Sequence, residues 1–320
     1  MLNANSLDDL LTDLRDETRP LAQARLEALS DLDRAELQRF RLAWEAIPAA
    51  RRAALITRLH ALADEKIELT FERIHRLALS DPEPEVRRLA ILGLWECEDP
   101  ALARPLLRAL ADDPAAAVRT EAAAALSAFV VLGELDRLPG DLLHRIEQGL
   151  LQAASHDGAP EVQRACVQAL GYSSREEVPD LIRAAYAREG EAWKRCALSA
   201  MGRSADAPWA PIVLAELLNP APALRLEAAR AAGELELRQA LPHLLDLLDD
   251  AQESIRRAAI WSLGQIGGDA AARALTRLLR RAEDEDEIDL LDRALENLAF
   301  VDGARDLVLF DLDDDAGDEA

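Results

Sequence analysis

The sequence predicts an all-α fold, a right-handed α-solenoid (superhelix) of stacked antiparallel helix pairs, and three observations predict it. A phrase of about twelve residues returns seven times, opened by Val86, Val118, Val162, Trp193, Leu224, Ile255 and Leu290 at separations of 32, 44, 31, 31, 31 and 35 residues. A recurrence of that length is the mark of a repeat array. Within each copy apolar or small residues stand at offsets 0, 4 and 8, one face of an α-helix. Finally, the 320 residues are 50% apolar but only 4% aromatic, a composition suited to stacked helices.

Residues 1–80 lack the clear phrase yet carry helical stripes: Leu37, Phe40, Trp44 and Ile47, then Leu55, Leu59 and Leu62, then Ile67, Phe71, Ile74 and Ala78. Pro20 and Pro48 divide them. Residues 1–65 are therefore expected to form an N-terminal helical cap with one or more degenerate repeats, covering the end of the stack. Repeats follow over 66–300. Five residues before each opener stand Asp81, Asp113, Asp157, Arg188, Asn219, Asp250 and Glu285, mostly short side chains suited to an N-cap, with Pro82, Pro114 and Pro220 placed for the first helical turn. Four residues after it come Ala90, Ala122, Cys166, Ala197, Ala228, Ala259 and Ala294, small enough for a neighbouring helix to come close. Gly171, Gly202, Gly233 and Gly264 are expected to end these helices. A second amphipathic segment about 13 residues upstream begins near Pro105, Pro179, Pro211 and Pro242, so each repeat has two helices. The long step from Val118 to Val162 leaves an insertion around 132–144, expected to be a loop or short turn at Pro139-Gly140. Residues 301–320 form an acidic C-terminal tail, and Leu307 to Phe310 before its end are apolar enough to close the stack.

These residues resemble the HEAT repeat family, in particular the short phycobilisome-lyase-like repeats with the signature D-P-x-x-x-V-R-x-x-A-x-x-A-L-G, over roughly residues 66–300. The resemblance implies the two-helix solenoid. It also implies that the arginine after each opener pairs with a turn aspartate, a structural ladder of Asp81, Arg87, Asp113, Arg119, Asp157, Arg225, Asp250 and Arg256. The paired His-Glu motifs by which the HEAT-like deoxyhypusine hydroxylases hold iron are absent.

Charge narrows the function. The chain carries 60 acidic against 37 basic residues, a net of -23, which disfavours nucleic acid because phosphate neutralisation dominates that affinity. Residues 283–320 hold 16 of the acids against two arginines. Yet the positions one, two and six after the first six openers, expected to line the concave side, contain no acid. Arg88, Arg164, Arg195, Arg230 and Arg257 have no ladder role there and are candidates for gripping carboxylate or phosphate in a guanidinium fork. Trp261 and Trp95 are candidate apolar anchors, and Trp193, as an opener, is expected in the core.

No apolar run reaches the roughly 20 residues of a membrane span, and no signal sequence opens the chain, so a cytoplasmic protein is expected. Cys97, Cys166 and Cys196 are expected to be reduced packing residues, and the five histidines lack metal-ligand spacing, so no metal or cofactor is expected. There is no phosphate loop or nucleophile elbow. The expected function is a non-enzymatic scaffold that binds an acidic or phosphorylated segment of a partner on the arginine ridge. Two alternatives stand beside it: a chromophore-handling lyase or chaperone, implied by the resemblance, and a scaffold autoinhibited by contact of residues 302–320 with its own ridge.

Overall fold

The computed structural model describes residues 4–204 and 207–315, in two compact units, Met1–Leu170 and Gly171–Ala320. Among the described residues there is no strand. In the N-terminal unit, α1 (Ala4–Asp13) and the single turn α2 (Gln23–Leu26) precede four successive helix pairs. These are α3 (Arg34–Trp44) with α4 (Ala49–Glu65), α5 (Glu72–Ala78) with α6 (Pro84–Leu92), α7 (Ala103–Asp112) with α8 (Ala116–Glu134), and α9 (Gly140–His156) with α10 (Pro160–Leu170). The C-terminal unit holds four more: α11 (Val178–Ala187) with α12 (Glu191–Arg203), α13 (Ala210–Glu216) with α14 (Pro222–Glu234), α15 (Leu241–Leu247) with α16 (Glu253–Ile266), and α17 (Asp269–Leu279) with α18 (Glu285–Asp315). Within each unit the second helices pack in series, α4 on α6 on α8 on α10 and α12 on α14 on α16 on α18, which is the α-solenoid arrangement.

The 0, 4, 8 stripe is the core of both stacks. Val86, Val118, Val162, Leu224 and Ile255 are buried, as are all seven residues at offset 4 and all seven at offset 8. Trp193 departs from the expected core position, as does Leu290: both are half-buried, and the Arg188 guanidinium lies 4.1 Å over the Trp193 ring. Ile67 is also displaced from its expected stripe, standing 99% exposed before α5 begins.

The turn aspartates do not act as N-caps. Asp81, Asp113, Asp157 and Asp250 each accept from the amide two residues on (Glu83, Ala115, Ala159 and Gln252), and Asn219 does the same for Ala221. These are Asx-turns, set two residues ahead of the N-cap. The prolines shift with them: Pro84 and Pro222 occupy the start of α6 and α14, whereas Pro82, Pro114 and Pro220 lie in the turn.

Gly202, Gly233 and Gly264 sit inside helices and do not end them. Their use is close approach. A Cβ on Gly264 would stand 2.8 Å from the Ala294 carbonyl oxygen and 2.9 Å from its Cα, and Gly171, Gly202 and Gly233 meet Ala200, Ala231 and Ser262 of the following second helix in the same way. The residue that stops α16 is Gly267, at φ 75°.

The insertion at 132–144 is neither loop nor extra turn. It lengthens both helices around it, α8 to 19 residues and α9 to 17, with a short connection between. By length and composition α8 is apolar enough to cross a membrane, contrary to the expectation that no segment is; here it packs against α6, α7, α9 and α10, with Val118, Ala122, Leu126 and Val130 buried. The last helix carries the backbone on to Asp315, past the expected start of the tail at 301; residues 316–320, and the side chains from 304 onward, lie outside the described residues.

Candidate partner-binding face

The second helices are joined by an arginine ladder. Arg87 donates from Nε and Nη2 to Asp113 of the next repeat at 2.7 and 2.9 Å, and from Nη1 to the backbone carbonyl of Asp81 in its own turn at 2.7 Å. Arg119 repeats this with Asp157 at 2.7 and 2.9 Å and the Asp113 carbonyl at 2.8 Å. In the C-terminal unit Arg225 binds Asp250 at 2.9 Å, and Arg256 donates to the Asp250 carbonyl. Arg87, Arg119 and Arg225 thus each bridge two turns, while Arg256 is bonded only within its own turn among the described residues, and each paired aspartate accepts from both its Asx-turn amide and the guanidinium. The two-donor fork of Arg119 holds the Asp157 carboxyl below its usual range. Burial pushes the Asp113 carboxyl up, but the Arg87 and Ala115 donors outweigh it and the net shift is downward.

The ladder also extends into the region expected to hold a degenerate repeat, at a rung the repeat phrase does not mark. Asp81 receives Arg52 of α4 at 3.0 Å and the Trp44 indole N–H at 2.6 Å, while Arg52 donates to the Ile47 carbonyl at 2.6 Å. Arg52 therefore plays for the α3–α4 pair the part Arg87 plays for the next. Arg51 stands where an apolar opener would, and Ala46-Ile47 replaces the Asp-Pro turn.

Beside the ladder, the expected ridge free of carboxylates is corrected. Arg88 is forked onto Glu85 at 2.8 and 2.9 Å and reaches Glu121 at 3.3 Å; Arg195 and Arg230 share Glu227 at 3.4 and 3.7 Å. Glu121 and Glu227 lie three residues after their openers, on the same helical surface as the positions one, two and six. Arg257 is half-buried on α16 and meets no carboxylate within ion-pair distance among the described residues. One turn further along, Trp261 is half-buried, its ring pressed over Gly233 of α14. Arg164 is half-buried on α10.

The family model for HEAT repeats matches residues 72–139 and 210–299, which hold Asp81, Arg87, Asp113 and Arg119 in one unit and Arg225, Asp250 and Arg256 in the other. The chain is a HEAT-repeat protein. Epoxyqueuosine reductase of Bacillus anthracis is 34% identical over 77 residues, 24% of this HEAT-repeat chain, and a Bacillus cereus counterpart matches equally. The match spans 20% of the length of these relatives. Among solved structures, the complex of CpcE and CpcF of phycocyanin lyase from Nostoc sp. PCC7120 is similar at 18% identity and a TM-score of 0.47, over 72% of this chain and 95% of that one. Human deoxyhypusine hydroxylase in complex with glycerol is similar at 19% identity and a TM-score of 0.35, over 92% and 96%.

The remaining candidates scatter over the HEAT repeats. Trp95 is 56% exposed but lies in the turn after α6, off the second-helix face. It borders a cleft with His60, His75 and Cys97. Cys166 and Cys196 are buried and Cys97 half-buried, where burial pushes its thiol up despite the Arg76 donor 3.3 Å from Sγ. No cluster of three metal-ligating side chains occurs among the described residues. Tyr186, Lys194 and Asn219 make a separate network around buried Glu216, with Tyr186 donating to Glu216 at 2.5 Å and its hydroxyl pushed up to about 12 by burial and that carboxylate.

Proposed function

We propose that this HEAT-repeat chain is a non-enzymatic scaffold that binds an acidic or phosphorylated segment of a partner protein along the second helices α12, α14 and α16. The observation that carries this reading is the pairing of Arg257 with Trp261 one turn away on α16, beside Arg195 and Arg230. A guanidinium without a carboxylate partner next to a half-exposed indole is the combination that protein interfaces use most heavily. Glu227, shared between two arginines, neutralises only part of their charge.

Affinity capture from the source organism with wild type and an Arg195→Glu, Arg230→Glu, Arg257→Glu variant tests it. The variant should lose partners that wild type retains, and the loss should be mimicked by Trp261→Ala. An unchanged set of partners overturns the reading.

A further inference from the structure

Two further arginines without an internal partner lie elsewhere, on α3. A cleft of about 580 Å³ runs between α3 and α5 in the N-terminal unit, floored by Leu37, Trp44 and Leu77 and rimmed by Arg34, Arg41 and Arg73. Arg34, Leu37, Gln38 and Arg41 fall at helical offsets 0, 3, 4 and 7, so one face of α3 presents two guanidinium groups with an apolar step between them. Two turns of helix separate the pair, about 10.5 Å along the axis. Both arginines are exposed and neither has an ion pair or hydrogen bond among the described residues. Arg73, opposite them on α5, is held at the rim by the Leu32 carbonyl and lies 3.7 Å from Asp31.

The cleft's own acids do little to offset this charge. Asp81 is buried and spent on Arg52 and Trp44, which leaves Glu45 at one end. On a chain with 60 acids to 37 bases, arginines left without carboxylates along an apolar groove mark a surface complementary to a partner that supplies both. A groove between two helices takes a third helix most readily, with its ridge of side chains seated between theirs.

We infer that the α3–α5 cleft is a docking site for an acidic amphipathic helix of a partner protein. Carboxylates two turns apart on that helix reach Arg34 and Arg41, and the aliphatic residues between them cover Leu37 and Leu77. The site lies in a different unit from the α12–α16 face and stands or falls independently of it.

The probe is a fluorescein-labelled helical peptide of about 14 residues built from Ala, Leu and Glu, with Glu at i and i+7 and Leu at i+3 and i+4. A control of the same composition carries the two Glu five residues apart. Fluorescence anisotropy should show the first peptide binding wild type at least about tenfold more tightly than the control, with a similar loss in Arg34→Glu/Arg41→Glu and a smaller one in Arg34→Gln/Arg41→Gln. Far-ultraviolet circular dichroism checks that the variants keep their helices. The Arg195→Glu, Arg230→Glu, Arg257→Glu variant should bind the probe as wild type does. Absence of binding by wild type, equal binding of the two peptides, or an affinity unchanged by reversing Arg34 and Arg41 overturns the inference. Loss confined to the α12–α16 variant would also overturn it, by placing the peptide on the other face.

Discussion

His75 sits 2% exposed beneath Gly93, so close that a Cβ on the glycine would stand 2.6 Å from its Nε2, and that nitrogen has no hydrogen-bond partner among the described residues. Burial, with a lesser push from His60, drives its pKa down to about 4, against the backbone hydrogen bond with Ile56. The direction of the pH effect follows. Between about 4 and 6.5 the unfolded chain binds this proton and the folded chain does not, so the stability contributed by neutral His75 is complete above pH 6.5 and drains away as pH falls toward 4. At 1.36 kcal/mol per pKa unit the loss is about 3 kcal/mol. Urea unfolding at pH 7 and pH 4.5 should show a smaller drop in midpoint for His75→Leu than for wild type; equal drops would assign the acid sensitivity to other groups. Asp81 is the complementary case, a buried carboxylate whose removal strands a buried cation. Asp81→Asn should cost about 3 kcal/mol, because Arg52 keeps its desolvation and loses its counter-charge. A cost under about 1 kcal/mol, the range of exposed pairs, would mean that water replaces the lost partner.

Among elements, the glycines divide by what surrounds them. Gly264→Ala would drive a methyl into the backbone of Ala294, which cannot rotate away, and should destabilise by about 1–3 kcal/mol. Gly140, at the start of α9, has nothing within 4 Å of its would-be Cβ, and Gly140→Ala should stabilise by roughly 0.4–1 kcal/mol through the unfolded chain. Thermal melts of the two variants should move in opposite directions; movement together would deny that helix approach is what Gly264 serves. The same contrast explains what could be read without coordinates. Helix pairs and their buried stripe were legible because 0, 4 and 8 recur on residues such as Ile255, Ala259 and Leu263. The α3–α4 pair was legible only as a degenerate repeat, and its Arg52–Asp81 rung was not legible at all, because its opener is Arg51. Nor were the carboxylates beside the arginines, since Glu121 and Glu227 sit at an offset outside the pattern that defines the repeat, and their reach across to Arg88 and Arg195 depends on the packing of α6 on α8 and of α12 on α14.

For the whole molecule two electrostatic effects compete as salt is added. The ladder pairs favour folding, and their side chains are largely shielded: Arg87 and Asp113 are 12% and 8% exposed, Arg119 and Asp157 16% and 10%, Arg225 and Asp250 18% and 8%. Salt screens such partly buried contacts weakly. The net charge of -23 opposes the compact state through repulsion among exposed acids, which act over tens of ångströms. That repulsion is what salt removes, since the screening length falls from about 30 Å at 0.01 M to about 8 Å at 0.15 M. Repulsion should therefore dominate the salt response, and the melting temperature should rise between 10 and 150 mM NaCl, by roughly 2–4 °C for each kcal/mol relieved in units of this size. Replacing Arg87 and Arg119 with Gln deepens the net charge while removing two ladder rungs, so the variant should melt lower at every salt concentration and gain more from added salt than wild type does. A melting temperature that falls with salt in the wild type would mean that exposed ion pairs such as Arg137 with Glu98, and not the shielded ladder, supply most of the favourable electrostatics.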